Sequence, residues 1–135
     1  MTTPATLPHI TAVQAALAAA GLTVYLGGAP AGPAPLPKAY VVLYPGPGAS
    51  GAASIADDRT VLDLLLQVTC VATTPDGALG TADRTRTALS ASLAVDGRAT
   101  WRPEELGGPP LQRDNDVTPP LYHQPVQYRL RSIPA

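Results

Sequence analysis

The 135-residue chain has no phenylalanine, one tryptophan, one cysteine and one lysine, and only 14% of its residues are charged. Each scarcity excludes something. With hydrophobic residues at 45% and few aromatics among them, the core must be assembled from Ala, Leu and Val, which suits thin two-layer packing. A single cysteine, Cys70, cannot form an internal disulfide; inside an apolar strand it reads as a small buried hydrophobe. Nine Lys plus Arg against ten Asp plus Glu leave a net charge of −1 with no basic block, so nothing draws the chain to phosphate backbones or anionic lipid. No apolar run approaches the roughly 18 residues of a membrane span, and the N-terminus lacks a cationic flank with an apolar stretch behind it. The expected location is therefore the cytosol. Eight of the nine cations are Arg, which together with abundant Ala, Pro and Gly points to a GC-rich genome, a correlation about codons rather than about function.

What is present begins with a long apolar stretch, Thr60 to Ala72, leading through Thr73-Thr-Pro-Asp-Gly77 into an alanine-rich helix. At about 3.3 Å per residue the strand runs roughly 40 Å, while a chain of this length has a diameter below about 40 Å, so the strand must cross the whole fold. Leu62, Leu64, Leu66, Val68 and Cys70 share its core face. Val61, Asp63, Leu65, Gln67, Thr69 and Val71 share the other, too wet for full burial and too apolar for full solvation. A subunit contact or coverage by the chain's own loops would each explain that mixture. Asp63 could pair with Arg129 or Arg131, within one subunit or between two.

Around this strand, Ile10, Val13, Leu17 and Ala20 predict a first helix from Pro8 to Ala20, ended by Gly21. A short strand at Leu22 to Leu26 follows, then a Gly/Pro connector from Gly27 to Pro37 containing a P-x-x-P spacing at Pro30 and Pro33 that reads as a stiff spacer. Ala39 to Tyr44 is the next strand, and Pro45 to Asp58 a loop long enough to need a purpose. Thr74 and Pro75 predict the start of the second helix, with Leu79, Ala82, Leu89 and Leu93 as its apolar stripe and Arg84 and Arg86 on its wet side. Asp96-Gly97 is a turn, Arg98 to Arg102 a short strand, Pro103 to Pro125 a Pro-rich loop, and Val126 to Ile133 an alternating strand with Val126, Tyr128 and Leu130 inward. The fold class is α+β: one domain, residues 1–135, with a mainly antiparallel sheet of about four to five strands and two helices on one face.

The chemistry-bearing motifs are sparse. Gly46-Pro-Gly-Ala-Ser-Gly51 matches G-x-G-x-x-G, but Pro47 removes an amide and a strand rather than a helix follows, so a flexible loop is the better reading. Ser50 is not in a G-x-S-x-G, and no G-K-[ST] occurs. His9 and His123 have no partners at metal or dyad spacing. Asp57-Asp58 and Glu104-Glu105 are neighbouring carboxylates without an apolar pocket, and Arg113-Asp-Asn-Asp116 lacks the glycine and closing glutamate of a calcium loop. No cofactor and no enzymatic activity are expected.

The order of elements resembles the tail terminator proteins of long-tailed bacteriophages over nearly the whole chain. The likeness is carried by Val13-Gln-Ala-Ala-Leu17 with Gly21-Leu-Thr-Val-Tyr25, by Ala39-Tyr-Val-Val-Leu43 before a loop, and by Leu65-Leu-Gln-Val-Thr-Cys-Val-Ala72 leading into Ala82-Asp-Arg-Thr-Arg-Thr-Ala-Leu89. The resemblance implies a virion protein, assembled in the host cytoplasm, that forms a hexameric ring of copies of itself. That ring caps the tail tube protein, meets the head-side connector or stopper protein, and lets DNA pass without specific binding. The implied subunit-interface or lumen face is Val61, Asp63, Leu65, Gln67, Thr69, Arg129 and Arg131; the implied partner-docking loop is Gly46, Gly48, Ser50, Asp57, Asp58 and Arg59. A head closure or stopper ring and a small-molecule-binding α+β domain are the alternatives.

Overall fold

Two long antiparallel strands form the axis of the molecule. The computed structural model describes residues 3–32, 35–57 and 59–135; Pro33 of the P-x-x-P spacing and Asp58 of the expected docking loop lie outside them. The elements in chain order are α1 (Thr6–Ala19), β1 (Val24–Leu26), β2 (Ala39–Pro45), β3 (Ala49–Gly51), β4 (Val61–Ala72), α2 (Pro75–Ala88), β5 (Arg98–Thr100), β6 (Glu104–Gly107), β7 (Gln112–Asp114) and β8 (Leu121–Pro134). β4 pairs with β8 from Leu62↔Ser132 to Ala72↔Tyr122. The sheet runs β1-β2-β4-β8-β5, with β3 also on β4 and both β6 and β7 on β8.

The fold is mixed α+β, as the sequence predicts, but the described sheet has eight strands where four to five were expected. The stretch 45–58, read as a loop, contains β3, and 103–125 contains β6, β7 and the start of β8. These additions are three- and four-residue strands whose sequences carry no alternation of their own. They exist because β4 and β8 are long enough to leave backbone donors and acceptors that a passing segment can satisfy. One pair, β1 with β2, is parallel; the connector from Gly27 to Lys38 supplies the roughly dozen residues such a crossover needs.

Both helices lie on the same face. Ile10, Val13 and Leu17 of α1, with Ala82 and Leu89 at α2, join Val41, Leu43, Leu64, Leu66, Val68, Cys70, Val126, Tyr128 and Leu130 in one buried cluster. The alternation read along Thr60 to Ala72 and Val126 to Ile133 therefore gave the core face correctly. Of the stripe expected on α2, Ala82, Leu89 and Leu93 pack on the core, but Leu79 is exposed and Ala78, Thr81 and Thr85 are buried beside them. Small residues let this helix approach the sheet closely, and the Thr81 hydroxyl is satisfied by donating to the Gly77 carbonyl at 2.8 Å. Its start follows the expected chemistry, since the Thr74 side chain accepts from the Gly77 amide at 3.0 Å and Pro75 opens the first turn. Ala20, expected inward, is exposed; its carbonyl accepts from Arg84 Nη2 at 2.8 Å, tying the two helices together.

The glycine-rich run after β2 is a strand interruption. Pro45 opposes Leu66 and Ala49 opposes Asp63, so residues 46–48 face only Leu64 and Leu65, a bulge with one residue extra. Gly48 sits at φ +75, and a Cβ there would lie 2.7 Å from Thr6 Oγ1 and 3.2 Å from Leu62 Cδ1. Thr6 in turn donates to the Pro47 carbonyl at 2.8 Å, so the bulge seats the start of α1. Gly48→Ala is expected to cost roughly 1–3 kcal/mol from strain and crowding together. Gly51→Ala, with open space around it, is the control in chemical denaturation; equal effects at the two positions would refute this role for Gly48.

Candidate functional site

The sheet face opposite the helices is the one that the Asp63 and Leu65 series predicts to be half-wet. The structure divides it. Toward one end, Tyr40, Val42 and Val71 are buried beneath Tyr25, Ala29 and Leu121, forming a second small core in which the Tyr25 and Tyr40 rings meet edge-on at 5.6 Å. Thr69, expected on the interface, is also buried, with its hydroxyl accepting from Gln67 Nε2 at 3.1 Å; here the chain covers its own strand. The other end stays open. Leu65 is 53% exposed, Tyr44 45% and Trp101 47%.

Charges order this open end. Asp63 faces Arg131 in register, yet it pairs diagonally with Arg129, accepting from Nε at 2.9 Å and again from Nη2. The pair lies within one chain, an option the sequence left open. The Arg129 guanidinium beside Asp63 holds its carboxyl below the usual carboxylate range. Arg131 is thereby released to lie 5.3 Å from the centre of the Trp101 ring and 3.9 Å from the Glu104 carboxylate. A guanidinium stacked on an exposed indole beside an exposed leucine is the composition of an interface anchor. Trp101 and Tyr44 were not among the interface residues singled out from sequence, because their segments become neighbours of β8 and β4 only through pairing. The Trp101 amide donates to the Arg131 carbonyl at 3.0 Å.

The expected docking loop is dispersed. Gly46 and Gly48 belong to the bulge, Ser50 lies exposed in β3, and Arg59 takes a left-handed φ of 57. Asp57 braces the β3–β4 turn, accepting from the Ala53 amide at 2.7 Å and the Thr60 hydroxyl at 2.6 Å. At the tip Ile55 is fully exposed, a residue the sequence reading passed over.

His9, without an apparent partner in sequence, has one in space. Its Nδ1 donates to the Ala5 carbonyl at 2.8 Å, which leaves Nε2 to accept from the Ser132 hydroxyl at 2.7 Å. Ser132 is wholly buried and its oxygen also accepts from Arg98 Nε at 3.0 Å. The dyad is thus closed to any substrate and serves as a strut between α1 and β8. Burial lowers the His9 pKa from its ordinary 6.5, the Ala5 carbonyl opposes this, and nearby Arg98 adds to the lowering. A histidine held neutral binds fewer protons folded than unfolded, so its contribution is complete above about pH 6.5 and is lost as pH falls below that value. Unfolding midpoints are expected to drop between pH 7.5 and 5.5, and His9→Gln should flatten that slope; identical slopes in both proteins would disprove the assignment.

Among the described residues no group of three or more His, Cys, Asp and Glu side chains could hold a metal ion, and no helix is long and apolar enough to cross a membrane. No protein-family model matches the sequence, and no curated protein matches it by sequence. The fold is similar to that of a chain in the structure described as "Virion of native gene transfer agent (GTA) particle", at 21% identity and a TM-score of 0.59, over 91% of this chain and 92% of that one.

Proposed function

We propose that this protein is a virion structural subunit of the tail terminator type, which assembles with copies of itself into a ring that caps the tail tube and joins it to the head connector. The observation that supports this reading is the fold likeness to a virion chain over nearly the whole of both chains. The open sheet end supports it. Exposed Leu65, Tyr44 and Trp101 around a satisfied ion pair form a surface suited to burial against protein. A net charge of −1 suits a DNA conduit, since a basic lumen would release many counterions and grip the passing backbone.

The direct test is the mass of the purified protein by light scattering and its image on tail tubes. A ring-sized mass and binding at tube ends are expected; a single subunit at all micromolar concentrations, with no binding to tube, would refute the proposal. Capture of tube protein rather than the portal-side connector separates a terminator from a head-closure or stopper ring.

A further inference from the structure

One end of the sheet has two unpaired margins at the same level. Leu62 of β4 faces Ser50 of β3 and also Ser132 of β8, and Ser132 in turn faces Thr100 of β5. A strand has only two edges, so these registers fix the local order β3-β4-β8-β5 and put Ser50 and Thr100 at opposite ends of one line of residues.

Backbone alternation decides what each margin presents. The Gly46 amide bonds the Leu65 carbonyl, so Leu65, Asp63 and Val61 all turn their polar groups toward the β2 and β3 side of β4. Ala49 and Gly51, opposite Asp63 and Val61, take up those bonds, and Ser50 between them turns its N–H and C=O outward. On the other margin the Trp101 amide bonds the Arg131 carbonyl, so Thr100, one residue earlier, also turns its N–H and C=O away from β8. Among the described residues nothing bonds these outward groups.

The two margins fit each other. β3 and β8 run one way and β4 and β5 the other, so β3 of one copy beside β5 of another continues the antiparallel alternation, with Ser50 and Thr100 exchanging two N–H···O bonds. That register sets Ala49 opposite Trp101 and Gly51 opposite Ala99. A Cβ at Gly51 would meet nothing, which leaves room for the exposed Trp101 ring, and an aromatic ring laid over an edge glycine stabilises strand pairing. A groove of about 230 Å³ lies at the same margin, walled by Ala99, Thr100, Trp101 and Ile133. On the opposite face the Thr100 hydroxyl donates to the Leu93 carbonyl at 2.7 Å, so it can accept from the Ser50 hydroxyl.

We infer that, within the ring proposed above, β3 of each copy pairs antiparallel with β5 of the next, Ser50 opposite Thr100, so that the four-stranded row runs on from copy to copy. A closed ring needs two different, mutually fitting surfaces on every subunit, and these margins supply them. The pairing is one part of a larger contact, because a stable interface buries about 1,200 Å² or more.

The test is an oxidative cross-link with copper phenanthroline on chains carrying both Ser50→Cys and Thr100→Cys. Within one chain the two positions are three strand spacings apart, roughly 14 Å, too far for an internal disulfide. Cys70 is fully buried and its thiol is pushed up to about 11, so the engineered thiols alone react. A ladder of linked chains is expected from the double variant, and nothing from Ser50→Cys with Ala99→Cys, whose side chains would lie on opposite faces. Ser50→Pro and Thr100→Pro each remove an outward donor without costing a bond inside the subunit, and each should raise the concentration for half-assembly at least about tenfold, with circular dichroism checking the fold. Linked pairs from Ser50→Cys alone would mean a two-fold contact and overturn the head-to-tail order. A ring that forms without the ladder overturns the strand pairing while leaving the ring standing. A wild-type protein that never assembles overturns the ring itself, and this inference with it.

Discussion

Leu66→Ala is expected to lower the unfolding free energy by about 2–5 kcal/mol, a substantial part of the roughly 5–15 kcal/mol that holds a domain folded. Leu66 is fully buried at the centre of β4, opposite Tyr128 on β8 and Pro45 on β2. Its neighbours belong to three strands and the helices above them, so the vacated volume cannot collapse without moving the sheet. The control is one residue away. Leu65 points to the open face and is 53% exposed, so Leu65→Ala in the separated subunit should cost less than about 1 kcal/mol. Urea denaturation of both variants, below the assembly concentration, measures the contrast. Comparable losses at the two positions would mean that the helices cover the opposite face of β4.

The same Leu65 carries the largest expected effect on assembly. Leu65→Lys places an ammonium beside Arg129, its partner in register, on a surface whose charges are already matched by Asp63 and Glu104. Burying an unmatched cation in a subunit contact is costly, and loss of a central apolar anchor adds to it, so affinity between copies should fall by about 100-fold or more. Trp101→Ala, which removes the ring over which Arg131 lies, should weaken assembly in the same direction. Sedimentation velocity on each variant reads the outcome, with circular dichroism confirming that the subunit remains folded. Unchanged mass in both would remove the open sheet end from the interface.

Much of this architecture is legible in one dimension. Val61 to Ala72 alternates with period two, and that alone identifies Leu62, Leu64, Leu66, Val68 and Cys70 as core. Thr74-Pro75 marks the second helix by local capping chemistry. Local signals fail where pairing creates the element. β3, β6 and β7 are too short for a period, and β6 is held partly by Glu105, whose carboxylate accepts from Arg86 of α2 at 2.9 Å. In α2 Ala82 and Leu89 were read inward correctly, but Ala78, Thr81 and Thr85 escaped because small and hydroxylated side chains signal little in a hydrophobicity pattern.

Taken by itself, the amino-acid order determined the main strands, both helices, the inward residues of β4 and β8, and the half-polar character of the opposite face, all of which follow from backbone periods and side-chain transfer preferences acting over a few residues. Only the tertiary structure decided which part of that face the chain covers for itself, that Asp63 takes Arg129 rather than Arg131, and that His9 meets Ser132, 123 positions away in sequence. Those outcomes depend on strand register and on elements brought together by long-range pairing, where one residue of shift exchanges every partner.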